Sequence, residues 1–246
     1  MTEKVNQKEI VLRLARSLMS DIKKQMSSGM KAGTDVRPYA KTYSLLRERI
    51  IAFGISESDK LVPELPKGIY DSRFSFDSHD VERNVAFFDE LSVAISQMVG
   101  FLEAIQQNSA RILTELEEFL FKNLRKNVIN RPNEEKDIQN IIAIMLNSKG
   151  YSYEREIVRI SYSAKEFIPD FTFDDLNAVL EVKFCKTDKK EKDLVDEINA
   201  DILAYLTRYS NLTFLIYDMG IIRDVDAFSK DIEKNNPRIK VLIVKQ

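Results

Sequence analysis

The chain reads Ile168-Pro169-Asp170-Phe171 and then, eleven residues after the aspartate, Glu181-Val182-Lys183. These charged residues lie inside apolar runs that are typical of β-strands. In the second run, residues 179–184, side chains alternate between two faces, which places Glu181 and Lys183 side by side. Ionised side chains avoid burial unless they are paired or bind a metal. A carboxylate and an ammonium on one apolar strand, with Asp170 on the strand before, therefore predict a divalent-metal site beside a cationic group.

Phosphodiester hydrolysis is a reaction that uses this arrangement. Two carboxylates can hold Mg²⁺ through oxygen ligands while water and a phosphate oxygen take the remaining positions. The metal lowers the pKa of its water and polarises the phosphoryl group, and a neighbouring lysine orients that water or offsets charge on phosphorus. The alternative is a half-buried strand on which Glu181 and Lys183 form a surface ion pair. Because Glu-x-Lys is a common tripeptide, the flanking elements have to distinguish the two interpretations.

The residues around these strands predict an α/β domain. An apolar period of three to four residues predicts a helix over 133–150, with Asn133 as its N-cap. Strands are expected over 151–162, 166–173 and 178–184. The remaining elements are a helix over 188–209, a strand over 212–217, a helix over 226–235 and a strand over 239–244. This order predicts a mixed sheet with helices on its faces.

With these motifs and this order of elements, residues 133–246, a little under half of the chain, resemble a known group of proteins. They look like a PD-(D/E)XK nuclease domain, and within that superfamily they are similar to the endonuclease family named after the DpnII and MboI restriction enzymes. The resemblance is carried by 135–139, 168–171, 181–183, 197–202 with Tyr205, 215–218 and 221–232. It implies a restriction-endonuclease-like core and a metal-dependent nuclease.

The resemblance also implies roles for individual residues. Asp170 and Glu181 match metal ligands for Mg²⁺ or Mn²⁺, and Lys183 matches the catalytic lysine. Glu135 matches an acid on the first helix that helps to position the metal, and Glu134 is its alternate. Gln139 follows Glu135 by four residues, so it shares a helical face and can hydrogen-bond toward the site.

The implied function is a metal-dependent endonuclease that cleaves nucleic acid, DNA rather than RNA, in bacterial restriction or anti-phage defence. The alternative is a catalytically silent protein of the same fold that serves as a nucleic-acid-binding or protein-interaction module. The intact set of Asp170, Glu181 and Lys183 favours the enzyme. The basic run over 183–192 is either a solvated helix start or a set of phosphate contacts.

The first half of the chain predicts helices and no catalytic constellation. We expect a helical bundle over 1–130, for dimerisation or sensing, and the nuclease domain over 131–246. The bundle has helices over 5–30 and 38–53, a loop-rich connection over 54–80 and a long helix over 84–127. A helix of about forty residues would be about 60 Å long. We therefore expect either a break near Gly100 or contact with a partner chain.

The intrachain core is the first interpretation of that helix, and a homodimer seam is the second. The candidate seam residues are Leu102, Ile105, Ile112 and Leu116. Two active sites would also account for a double-strand break, since one site cuts one strand at a time.

Composition excludes several other classes of protein. The 37 basic and 39 acidic residues nearly balance, so nucleic-acid contact needs a local basic patch. One cysteine and one histidine exclude an intrachain disulfide and a Cys/His zinc cluster. We find no export signal and no apolar run approaching about twenty residues. The sequence therefore predicts no membrane contact and a reducing, cytoplasmic location.

Overall fold

A computed structural model describes residues 3–28, 35–55, 58–71, 78–234 and 236–246. Its described residues form two compact units, 3–108 and 109–246. The first is helical, and the second contains a five-stranded mixed sheet with helices on its faces. The predicted fold class, a helical region followed by an α/β core, is confirmed.

The N-terminal unit is built from helices that bury apolar stripes. They are α1 (Glu3–Ser27), α2 (Arg37–Ala52), the single turns α3 (Ser58–Leu61) and α4 (Gly68–Asp71), and the first part of α5 (Ser78–Asn127). A proline in the first turn of α2 suits a helix start, because the first N–H groups have no partner inside the helix. The largest buried side chains of this core are Ile22, Tyr43, Ile50, Ile69, Phe88, Leu91 and Ile95. The stretch predicted as a loop, 54–80, therefore holds two helical turns and the start of α5.

Helix α5 is continuous, so of the two alternatives the break near Gly100 is wrong, and contact with a partner chain stays a prediction. A Cβ at Gly100 would meet nothing within 4 Å, and no packing conflict interrupts the helix there. Leu102 is buried in the core of the N-terminal unit, and Leu116 is buried in the core of the C-terminal unit. These two candidate seam residues are thus intrachain core residues. For the same reason the two units divide at residues 108 and 109, inside α5, instead of at the predicted 130 and 131.

Within α5, the segment Val85–Asn127 is long and apolar enough to cross a membrane by length and composition alone. This finding differs from the expectation of no apolar segment of that length. Phe88 and Leu91 pack in the N-terminal core, while Leu120 and Leu124 pack in the C-terminal core. In the structure 39% of the apolar window is buried, so the two cores account for part of its apolar character.

The C-terminal unit alternates helices and strands around one sheet. Its elements are α6 (Glu135–Ser148), β1 (Glu154–Arg155), β2 (Ile160–Tyr162), β3 (Lys165–Phe167), β4 (Phe171–Phe173), β5 (Ala178–Cys185), α7 (Asp188–Tyr205), β6 (Asn211–Asp218), α8 (Val225–Glu233) and β7 (Ile239–Lys245). The sheet order is β1-β4-β5-β6-β7, and β2 pairs with β3 in a separate hairpin. Strand β4 is antiparallel to β5, whereas β5, β6 and β7 are mutually parallel.

Two of the predicted strands are shorter than expected. The strand predicted over 166–173 divides into β3 and β4, because Pro169 has no N–H to donate to a ladder. The strand predicted over 151–162 divides at Glu156, which has a positive φ of 53° and donates its N–H to the Asp170 carbonyl at 3.1 Å. The N-cap of α6 is Glu134 instead of Asn133.

All side chains of β5 are buried, and they alternate between the two faces of the sheet. Leu180, Val182 and Phe184 belong to the core that includes residues of α6 and the end of α5. The opposite face packs against α7 and α8. Glu181 and Lys183 alternate with the three apolar residues, so they lie on the α7 face.

Leu120 and Phe121 offer a matched test of the second core. Leu120 is fully buried, while its neighbour Phe121 is 50% exposed. Leu120→Ala should lower the free energy of unfolding by about 2–5 kcal/mol, because it leaves a cavity. Phe121→Ala should cost under about 1 kcal/mol. Urea denaturation measures both, and equal losses would contradict the assignment of α5 to this core.

Candidate active site

Asp170, Glu181 and Lys183 lie together at the sheet. The Val182 N–H donates to Asp170 Oδ2 at 2.8 Å, and the Asp170 N–H donates to Glu181 Oε2 at 3.2 Å. Lys183 Nζ donates to Glu181 Oε1 at 3.0 Å. All three side chains are buried. The interruption of the strand at Pro169 thus leaves the Asp170 main chain free to bond the glutamate of the neighbouring strand.

Glu135 reaches the same site from the first turn of α6. Its Oε2 accepts the N–H of Phe184 at 3.1 Å, which fixes the carboxylate beside the end of β5. Glu134 is exposed and holds the N-cap, where its N–H donates to Asp137 Oδ2 at 3.3 Å. Glu135 is therefore the helix acid that faces the site, and its catalytic role stays a prediction.

Gln139 contacts the site as its helical position predicts. Its Nε2 donates to Asp170 Oδ1 at 2.8 Å, and the residue is buried. Arg155 contacts the amide from the other side, with Nη2 at 3.4 Å from Gln139 Oε1 and 2.8 Å from Asn140 Oδ1. Since a guanidinium only donates, these bonds set the orientation of the amide toward Asp170.

Helix α7 adds two contacts from residues that carry the family resemblance but to which the sequence assigned no role in the site. Asp201 Oδ2 lies 2.8 Å from Lys183 Nζ, on a buried side chain. The Tyr205 hydroxyl donates to Glu181 Oε2 at 3.1 Å. The sequence predicts a packing role for Tyr205, with base stacking as the minor alternative, and neither interpretation includes this hydroxyl contact.

A periodic signal for Asp201 is present in the sequence. Leu194, Ile198, Asp201 and Tyr205 recur at intervals of four, three and four residues, and all four are buried. An acidic residue on the core-facing stripe of a helix needs a buried partner. The apolar residues of this helix taken alone predict a stripe that includes Leu203, which is 58% exposed.

Burial and mutual repulsion set the charge states of the site. Burial, together with nearby Glu135, raises the pKa of Asp170 to about 6. Burial and the Asp170 charge raise the pKa of Glu181 to about 8. Burial alone would lower the pKa of Lys183, but Glu181 and Asp201 raise it above its ordinary value, so the side chain is an ammonium. The site therefore holds more acid than its one buried ammonium neutralises.

The basic run over 183–192 is largely engaged within the protein. Lys186 donates to the Asn133 carbonyl at 3.0 Å, and Lys190 pairs with Glu197 at 2.6 Å. The side chain of Lys189 lies outside the described residues. Cys185 is buried, and burial raises the pKa of its thiol to about 11, which keeps it un-ionised and unsuited to nucleophilic attack.

The donor set fits a magnesium-type cation. Across the described ranges, no three His, Cys, Asp or Glu side chains form a ready-made cage. Mg²⁺ is bound by one or two carboxylates together with waters and substrate phosphates, so two suffice. Among the bonds of the described residues, Glu181 Oε2 accepts two donors. Glu181 Oε1 and both oxygens of Asp170 accept one each, which leaves each a lone pair for a metal.

Comparison with protein families identifies the family of the chain. The family model DpnII-MboI, described as REase_DpnII-MboI, matches residues 110–246, more than half of the chain. The chain belongs to the DpnII-MboI restriction endonuclease family. No curated protein and no solved structure matches it. The match coincides with the C-terminal unit, so it includes the last turns of α5 and extends beyond the resemblance seen over 133–246. Membership makes the C-terminal unit a restriction-type nuclease with a restriction-endonuclease-like fold.

The raised pKa of Asp170 predicts the pH dependence of metal-free stability. A carboxyl whose pKa rises on folding binds more protons in the native state, so its ionisation destabilises the fold above its ordinary pKa of 3.8 and up to about 6. In EDTA, the stability of Asp170→Asn relative to the native chain should increase by on the order of 1–3 kcal/mol from pH 5 to pH 8. Any pH-independent cost of the amide cancels in this difference.

Melting temperatures across that pH range measure the effect. The exposed acid Asp196 on α7 provides the control, since Asp196→Asn removes a carboxylate outside the site. A pH-dependent change as large in this control as in Asp170→Asn would show that the effect does not come from the site. A stability difference for Asp170→Asn that shrinks as the pH rises would contradict the assigned charge state.

Proposed function

We propose that this protein is a metal-dependent endonuclease that hydrolyses phosphodiester bonds of DNA, in bacterial restriction or anti-phage defence. The observation that carries the proposal is the buried group of Asp170, Glu181 and Lys183 in a member of a restriction endonuclease family. The proximity of the three side chains supports the proposal of a PD-(D/E)XK site, in which two acids and a lysine from neighbouring strands would act on one phosphate.

Asp170 and Glu181 would hold Mg²⁺ or Mn²⁺. Both carboxyls have a raised pKa, since each is buried near other acids, and a divalent cation would relieve that repulsion. When bound, such a cation lowers the pKa of a water and polarises the phosphoryl group. Gln139 and the Val182 N–H bind the two oxygens of Asp170 and so fix the direction of the remaining lone pairs.

Lys183 would act through its charge. The flanking carboxylates raise its pKa, so the ammonium cannot take a proton from water near neutral pH. It can instead donate a hydrogen bond to a phosphate oxygen and stabilise the negative charge that develops in the transition state. Glu135 helps to fix the position of Lys183, because it accepts a hydrogen bond from the N–H of Phe184, the residue directly after the lysine.

Contact with DNA is supported by the family and by the surroundings of the site. With 37 basic against 39 acidic residues, the protein needs a local contact to the phosphate backbone. Lys186 is exposed directly after β5 and bonds a backbone carbonyl, so its charge remains available to a phosphate. A positive residue there would guide the backbone past the acidic site.

Cleavage assays with plasmid, single-stranded DNA and RNA test the proposal. Cutting of DNA should require Mg²⁺ or Mn²⁺ and should stop in EDTA. Asp170→Ala and Glu181→Ala should abolish cutting because each removes an oxygen ligand. Lys183→Ala should keep metal binding, measured by calorimetry, and lower kcat by about 10²–10³-fold. Glu134→Ala is the control and should cut normally, whereas full activity of a folded Glu181→Ala protein would refute the mechanism.

We also propose that the enzyme works as a homodimer in which α5 takes part. Among the candidate seam residues, Ile105 and Ile112 are only half-buried and so remain accessible. Two copies would supply the two active sites that a double-strand break needs, and symmetric dimers are the commonest soluble assembly. Light scattering at micromolar concentration should report a dimer, and Ile105→Glu with Ile112→Glu should give folded monomers. A native chain that is monomeric across this range would exclude the dimer.

A further inference from the structure

The Lys183 ammonium is held between two carboxylates from different elements. Glu181 Oε1 lies 3.0 Å from Nζ on the same strand, and Asp201 Oδ2 lies 2.8 Å from it on α7. All three residues are buried. A lysine side chain has four rotatable bonds, so a single carboxylate partner would leave Nζ able to move around it. Two carboxylates, one on the strand and one on the helix, fix the position of Nζ.

The Tyr205 hydroxyl performs a similar task for the glutamate. It donates to Glu181 Oε2 at 3.1 Å, and the same oxygen accepts the Asp170 N–H at 3.2 Å. Two donors on Oε2 leave Oε1 as the oxygen that meets Lys183 and has a free lone pair. The Tyr205 ring is buried and lies edge-on to Phe167 with centroids 6.4 Å apart, so packing sets the position of the hydroxyl.

We infer that Asp201 and Tyr205 are positioning residues that divide the work of the site: Asp201 acts through Lys183 on the chemical step, and Tyr205 acts through Glu181 on metal affinity. The inference rests on the proposed function, because it assigns roles within that reaction. The two residues are four positions apart on α7, so one face of one helix reaches both partners.

Asp201 is needed because Glu181 would have to bind the metal ion and pair with the Lys183 ammonium at the same time. When Glu181 shares its negative charge with a divalent cation, its hold on the ammonium weakens, and the two positive charges repel each other. Asp201 has no such second task, since it contacts the ammonium from α7. It therefore keeps the Lys183 ammonium directed at the site in the state in which the reaction occurs.

A merely structural role for these contacts predicts a different outcome. If the pair of Asp201 and Lys183 only docks α7 on the sheet, its loss lowers stability and affects metal affinity, KM and kcat together. A positioning role separates these quantities, because each residue acts through one partner. Double-mutant cycles measure that separation directly.

The first experiment uses Asp201→Asn in the full chain. We expect kcat for DNA cleavage to fall about 10–100-fold, while KM and the Mg²⁺ affinity measured by calorimetry change less than about twofold. Asp201→Glu, which retains the charge, should recover part of the lost kcat. In a Lys183→Met background, Asp201→Asn should cause no further loss, because no ammonium remains to be held. Asp196→Asn, an exposed acid on the same helix, is the matched control and should behave as the native chain.

The second experiment uses Tyr205→Phe, which removes one oxygen and keeps the ring. We expect the Mg²⁺ affinity to fall about 3–10-fold, with kcat at saturating Mg²⁺ near the native value. The matched control is Tyr209→Phe, since Tyr209 is also buried but its hydroxyl is directed toward Thr172. This control should leave metal affinity and kcat unchanged.

The outcomes separate this inference from the proposed function. A native chain that binds no divalent metal and cuts no nucleic acid refutes the function. A native chain that cuts DNA, combined with full activity of Asp201→Asn or with losses that add to those of Lys183→Met, refutes the role of Asp201 alone. Unchanged Mg²⁺ affinity in Tyr205→Phe refutes the role of Tyr205. If Asp201→Asn does not fold, Asp201→Ser takes its place with the same expected loss of kcat and the same refuting result.

Discussion

The C-terminal unit depends on the ion pairs of one buried ammonium. Taking an ionised side chain out of water costs several kcal/mol, and that cost is recovered only when good partners surround it. Lys183 has Glu181 on its own strand and Asp201 on α7. Glu181 in turn needs the Tyr205 hydroxyl and the Asp170 N–H. Elements distant in sequence must therefore converge before any of these groups is satisfied, so the active site and the fold form together.

Much of this convergence could be predicted from the sequence, because alternation along a strand is local. The pattern over 179–184 places Glu181 and Lys183 on one face, and the structure has them there. The rotation of α7 is different, since the period of an amphipathic helix tolerates a shift of one residue. Ile202 is only partly buried and Leu203 is exposed, while Asp201 faces the core. The periodic stripe that contains Asp201 is visible in the sequence, but it favours this rotation only once a buried partner for the acid is known, and that long-range partner is Lys183.

The sequence of α5 likewise does not reveal its packing partners. Its apolar period runs from one end to the other, so the pattern predicts a buried face but not which residues bury that face. The structure assigns Leu102 to one core and Leu116 to another, with the division of the two units between them. A continuous helix that serves two cores in succession has no turn or breaker at the division. The sequence therefore predicts the domain boundary near Pro132, where the pattern next changes from helical to mixed helix and strand.

The topology constrains the candidate site. Parallel strands β5 and β6 need a crossover, and α7 is that crossover, so it must pack on the sheet between leaving one strand and entering the next. Leu194 and Ile198 close the core on this face, and the same stripe then brings Asp201 and Tyr205 to the active side chains. Groups held by a packed helix stay within narrower limits than groups held by a loop. Because the residues that fill the core and the residues that contact Lys183 and Glu181 share one helix face, the geometry of the candidate site cannot change without repacking the core.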